Sequence, residues 1–223
     1  MRPLRQLGAI VWKDISAELR TKEMFSSMFV FVFLAIVVFN FAFELRVDNV
    51  RQVAPGILWV AFSFAGVLGL NRSFILEKDR GCLEGLLLSP LDRSLVYFAK
   101  VLSNLLFMLV VEALALPIFT ALFNLPLLRL DLGLVVLLGT LGFAGVGTLF
   151  SAMVVNTRAR EVLLPVLLFP IVTPVLIASV KLTGGLLDGE SLSAMGHWLR
   201  LLGAFDAIFL AVSYMTFDYV VEE

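Results

Sequence analysis

The sequence predicts an all-α, polytopic membrane protein with six transmembrane helices, on three observations. Of the 223 residues, 60% are hydrophobic and 16% are charged, with a mean hydropathy of +0.99. An average soluble domain is about half apolar and about a quarter charged. Long uncharged runs recur along the chain, each near the roughly 20 residues of helix needed to cross a hydrocarbon core about 30 Å thick. None of them alternates in the segments of about ten residues that a membrane β-barrel requires.

The runs are residues 24–43, 53–70, 101–128, 132–155, 162–180 and 201–217. The third is interrupted only by Glu112 and carries Pro117 and Pro126; the sixth contains Asp206. The first is expected to be retained as a span. A signal peptide has an apolar core of about 7–15 residues and a small-residue cleavage site. This run is longer and exits into Glu44-Leu45-Arg46. Ahead of it, residues 1–23 place Leu4, Leu7, Val11 and Ile15 on one helical face with Trp12 nearby, the pattern of an amphipathic helix lying on the membrane surface.

Orientation follows from Lys and Arg in the connecting segments. The N-terminal segment, the loop after the second run and the loop after the fourth carry twelve of them, against five on the other side. Both termini and the loop at 71–100 are therefore expected on the cytoplasmic side.

Several function classes are disfavoured. A net charge of −1 gives no sign of a nucleic-acid partner, and one cysteine, Cys82, forms neither an internal disulfide nor a cysteine metal cluster. With one histidine and one deep carboxylate there is no cluster of nucleophile, base or metal ligands for a membrane-embedded enzyme. No catalytic or metal-binding residue is assigned. No glycine-rich phosphate loop is present, so ATP hydrolysis would have to reside in a partner.

The most informative stretch is EKDRGCLEGLLLSPLDR, residues 77–93, charged and leucine-rich between two apolar runs. On a helix, Leu76, Cys82, Leu83, Leu86 and Leu87 share one arc, and Glu77, Arg80 and Glu84 the opposite one. Gly81 and Gly85 each weaken such a helix by about 1 kcal/mol. Ser89-Pro90-Leu91-Asp92 then carries a helix-start signal, with serine as cap, proline at the first position and a carboxylate three residues on. Two readings fit this helix–break–helix segment. One is an interfacial helix; the other is a docking element for a soluble partner, suggested by acids mixed among the bases where a lipid-binding face would favour Lys and Arg.

Glu112 is the deepest charge in the sequence. An intramembrane carboxylate is a functional candidate, or a neutral acid bonded to a Ser or Thr of a neighbouring span. Asp206 is expected near the outer membrane interface. The fourth run carries a row of small residues, Thr140, Ala144, Thr148 and Ala152, with Gly139, Gly142, Gly145 and Gly147, suited to close packing inside the bundle or at a subunit interface. Pro165, Pro170 and Pro174 are expected to make the fifth run irregular.

Two blocks of residues carry a family resemblance. The first comprises Ala54, Pro55, Gly56 and Trp59; Arg72, Phe74 and Glu77; Gly81, Leu83, Glu84, Leu86, Leu88 and Pro90; and Ala99-Lys100. The second is residues 137–177 with their three prolines. Together they resemble the heme exporter protein B (CcmB) family, the permease subunit of the cytochrome c maturation ABC transporter. The resemblance implies a single exporter-type permease domain over residues 1–223, without catalytic activity of its own, whose partner ATPase subunit (CcmA) binds ATP. It also implies membrane partners CcmC and CcmD, the periplasmic heme chaperone CcmE, a second permease copy, and heme handled by the complex with no cofactor bound to this chain. Glu77, Arg80, Gly81, Leu83, Glu84, Leu86 and Pro90 would form the ATPase-coupling helix. Arg158, Arg160 and Glu161, in the loop NTRARE, would form a second cytoplasmic contact. A permease for another substrate, such as a lipid or drug, would share this architecture. The single histidine, His197, fits either a heme contact or a plain surface residue, and no heme site is assigned.

Overall fold

The computed structural model describes residues 2–44, 50–79 and 93–222, all of whose regular structure is helical. The helices are α1 (Arg2–Thr21), α2 (Glu23–Glu44), α3 (Val50–Asp79), α4 (Arg93–Phe123), α5 (Leu130–Val154), α6 (Arg160–Leu187) and α7 (Gly196–Glu222). Six of them, α2 to α7, are long and apolar enough to cross a membrane. The all-α, six-span architecture expected from the sequence is the one observed.

α1 and α2 meet at a sharp elbow. Lys22 takes a left-handed φ of 55°, which ends α1 after one turn-closing bond from its N–H to the Glu18 carbonyl. The Glu18 side chain then accepts the Phe25 N–H at 2.8 Å, satisfying one of the orphan donors that open α2. α1 packs on α4, with Ile10 and Val11 against Val96, Tyr97 and Ala99. Leu7 and Ile15 join that contact. Leu4 and Trp12 do not, and are 77% and 68% exposed. The buried face is thus rotated toward Ile10 from the one read off the sequence.

α3 and α5 form the interior. Buried residues make up 72% and 67% of their most apolar windows, against 22% in α2 and α7 and 33% in α4 and α6. α5 touches α3, α4, α6 and α7. Its glycines make this possible: a Cβ on Gly139 would overlap Trp59 of α3, and one on Gly147 would overlap Leu70 of the same helix. Thr140, Ala144, Thr148 and Ala152 are buried as well. The small residues of the fourth run therefore serve packing within this bundle.

Two boundaries differ from expectation. The helix expected to reach residue 128 ends at Phe123, where Asn124 adopts a left-handed φ of 51° and Pro126 follows. Residues 125–129 lie outside regular structure, with tight turns closed by the Leu127 N–H to the Leu125 carbonyl and the Arg129 N–H to the Leu127 carbonyl. The Arg129 guanidinium donates to the Leu186 carbonyl at 3.1 Å, fastening this connection to the end of α6. The second difference is α6 itself, which stays one continuous helix through Pro165, Pro170 and Pro174.

Candidate functional site

The end of the bundle where α3 finishes and α4 begins carries the candidate coupling region. α3 is described as far as Asp79, and α4 from Arg93 onward. Arg80, Gly81, Leu83, Glu84, Leu86 and Pro90, with Cys82, lie outside the described residues; Glu77 falls in the last turn of α3. Both flanking helices are anchored to the N-terminal pair of helices, α1 and α2. On the α3 side, the Arg72 guanidinium pairs with Glu23 at the start of α2. On the α4 side, Lys100 Nζ lies 2.9 Å from Asp14 Oδ2 of α1, with only 2% of the lysine side chain exposed. Lys13 Nζ also approaches Asp14, at 3.2 Å from Oδ1.

The turn from α5 to α6 lies at the same end, since Ser151 of α5 donates to the Leu70 carbonyl of α3 at 2.7 Å. Residues 155–162 line a hollow of about 520 Å³ there. Arg158 and Glu161 are exposed on it and Arg160 is half-buried. These three residues are therefore grouped on the surface beside the flanks of the 80–92 segment.

The interior of the bundle holds a polar layer on α4 and α5. Asn104 Nδ2 donates to Thr148 Oγ1 at 3.1 Å, and Thr140 Oγ1 stands 2.9 Å from both carboxyl oxygens of Glu112. The two contacts are in antiparallel register, eight residues apart on each helix. Tyr97 adds a third, donating to the Gly145 carbonyl at 3.1 Å. Glu112 is 5% exposed and borders a cavity of about 10 Å³, room for one water-sized molecule, with Trp59, Phe62, Ser63, Met108, Phe143 and Leu176. The two readings of Glu112 thus meet in one geometry: it is deep, and its partner is a threonine of the next span.

Trp59 closes the other side of that cavity. Its indole N–H donates to Thr183 Oγ1 of α6 at 3.0 Å. Its ring also borders a groove of about 300 Å³ between α3 and α6, shared with Gly56, Val60, Phe64 and Phe169.

Asp206 departs from the sequence reading. α7 begins at Gly196, and the Asp206 Oδ1 lies against Gly142, midway along α5, with the residue 5% exposed. Position along a span gives depth but not which side of the helix faces inward. His197 is exposed and sits beside Trp198, ring centroids 4.9 Å apart. Asp14 and Glu18 were missed as well. Both are acids among the bases of a surface helix, and their partners Lys100 and Phe25 are set by packing.

The CcmB protein family matches residues 5–222. Among curated proteins, the heme exporter protein B of Pseudomonas aeruginosa is 32% identical over 178 residues, which cover 78% of this chain and 79% of that protein. The heme exporter protein B of Rhodobacter capsulatus is 29% identical over 179 residues, covering 79% and 81%. That of Bradyrhizobium diazoefficiens is 27% identical over 207 residues, covering 92% of each chain. The family match takes in all six spans, the flanks of the 80–92 segment and the buried polar layer, and the chain belongs to the CcmB family.

Proposed function

We propose that this chain is the membrane permease subunit of an ABC transporter complex in cytochrome c biogenesis, passing the work of a partner ATPase (CcmA) into heme handling. The names of its relatives, heme exporter protein B, support a role in heme export. The observation that carries the coupling role is the anchoring of both helices that flank residues 80–92. Arg72–Glu23 holds α3 to the start of α2, and Lys100–Asp14 holds α4 to α1. A push on that segment is therefore delivered to α3 and α4 together. In this reading Glu77, Arg80, Gly81, Leu83, Glu84, Leu86 and Pro90 meet the ATPase. Arg158, Arg160 and Glu161 give it a second contact from the neighbouring turn.

The membrane partners CcmC and CcmD, a second permease copy and the periplasmic chaperone CcmE complete the assembly. ATP binds the partner subunit, and this chain is not itself an enzyme. We favour release of the loaded chaperone over passage of heme through this chain, because histidine is the common proximal ligand of heme iron. The chain supplies one histidine, and it is exposed beside Trp198. The chain sits in the bacterial inner membrane with both termini cytoplasmic. A permease for a lipid or drug would use the same coupling geometry.

Cys82, the single cysteine, gives the test. A membrane-impermeant maleimide is applied to inside-out and right-side-out vesicles, with and without the ATPase. Labelling confined to inside-out vesicles, with protection by the ATPase, is expected. Labelling from the outer face would overturn the orientation, and cytoplasmic labelling untouched by the ATPase would overturn the coupling contact.

A further inference from the structure

The apolar runs 24–43, 53–70, 101–128, 132–155, 162–180 and 201–217 contain no Asp, Glu, Lys or Arg other than Glu112 and Asp206. These two acids come from different helices, α4 and α7, yet both face α5. Glu112 meets Thr140 and Asp206 meets Gly142. Two residues along a helix is a rise of about 3 Å and a rotation of about 200°. The acids therefore lie at nearly one depth on opposite faces of α5.

Among the described residues, neither has a cation beside it. Around Glu112, α3 contributes Trp59, Phe62 and Ser63, α4 Met108, α5 Thr140 and Phe143, and α6 Leu176. Around the Asp206 side of Gly142 stand Val175 of α6 and Phe205 of α7. α4 also packs on α7, and its titratable group toward that side is Tyr97, whose hydroxyl is bonded to the Gly145 carbonyl. Neither carboxyl oxygen of Asp206 has a hydrogen-bond partner among the described residues. An ionised carboxylate so placed would be desolvated with nothing to offset it; a buried acid without a cation takes a proton instead. Two negative charges across one helix, about 10 Å apart, would also repel through a medium that screens poorly.

We propose that Glu112 and Asp206 form a proton-binding pair on opposite faces of α5, each carboxyl carrying its proton while the bundle is closed. Thr140 Oγ1, equidistant from both Glu112 oxygens, can donate to one and accept the O–H of the other. At Asp206 the bare Gly142 backbone lets the acid lie directly against α5. Movement of α4 or α7 away from α5 would admit water and release a proton. The closed bundle then binds more protons than the open one, so linkage favours closure as pH falls and opening as pH rises.

The test is infrared spectroscopy of the full chain in lipid nanodiscs at neutral pH, reading the C=O stretch of protonated carboxylic acids and its shift in D2O. The wild type is expected to show two components, with Glu112→Gln and Asp206→Asn each removing one and the double variant removing both. Absence of the band in the wild type, or its persistence in the double variant, would overturn the proposal. Loss in only one single variant would overturn the pairing. Should a variant fail to insert, the wild type is treated with dicyclohexylcarbodiimide, which reacts with buried protonated acids, and its peptides are weighed. Adducts at Glu112 and Asp206 are expected, and their absence at either residue counts against the pair.

Discussion

Lys100 Nζ lies 2.9 Å from Asp14 Oδ2 where the lysine side chain is 2% exposed and the aspartate 10%. This ion pair joins the N-terminal surface helix to the start of α4, and its burial sets its sensitivity. Removing a partner from a buried pair costs up to about 3–5 kcal/mol, lessened here because Lys13 stays 3.2 Å from Asp14, whereas replacing both is milder still. Lys100→Met is therefore expected to lower the thermal midpoint of the purified chain in detergent markedly. Lys100→Met combined with Asp14→Asn should recover much of the loss. Equal midpoints for the single and double variants would show that the pair is not coupled.

Arg72 and Glu23 form the opposite case. Their side chains are 44% and 53% exposed, and such a pair contributes about 0–1 kcal/mol to stability. Arg72→Glu should leave the thermal midpoint nearly unchanged while reducing ATPase stimulation in the assembled complex. Adding Glu23→Arg should restore stimulation. Unchanged stimulation in Arg72→Glu would remove this pair from the coupling path.

Trp59 and Gly139 make a steric prediction. A methyl group at Gly139 would overlap the far edge of the Trp59 ring and approach Ser179 Oγ to 2.6 Å. Overpacking of this kind costs about 1–3 kcal/mol. Trp59→Phe alone loses the hydrogen bond to Thr183, worth about 1 kcal/mol. Phenylalanine also clears the ring edge, so Trp59→Phe with Gly139→Ala should destabilise less than the sum of the singles. A double-mutant cycle on thermal unfolding reads the difference, and simple additivity would place the two residues out of contact.

Thr140 is the only hydrogen-bonding side chain on the Glu112 carboxyl among the described residues. Thr140→Val keeps the shape and removes the hydroxyl, leaving a buried acid unsatisfied at about 1–3 kcal/mol. Thr140→Ser retains the bond and should stay within a few tenths to about 1 kcal/mol of the wild type. Comparison of the two midpoints checks the contact, and a serine variant as weak as the valine would point to packing instead.

The six spans were legible because a bilayer imposes a length on apolar helices, and that length is written in uncharged runs such as 25–43. Glu112 was legible for a related reason, since a lone acid within an apolar run stands out by itself. Asp206 stood out equally, but its depth in the span said nothing of its azimuth, and only the packing of α7 on α5 turns it inward. Asp14 could not be paired in advance with Lys100, 86 residues away. The end of α4 at Phe123 was hidden because 124–128 is as apolar as the helix before it. Only Asn124 and Pro126 signal the stop.

The hydrogen bond from Trp59 to Thr183 spans 124 residues of chain. When α3 first enters the bilayer during synthesis, α6 does not yet exist, and the indole N–H has no acceptor from that helix. The same holds for the glycine-lined seats on α5 that receive Trp59 and Leu70. α3, one of the two interior helices, is thus made before α5 and α6, which pack against it. Each span must wait in lipid as an independent helix, and the interior is assembled by lateral rearrangement once the last ones arrive. A chain truncated before α6 should retain inserted spans with a loose interior, a substrate for membrane quality control rather than a smaller permease.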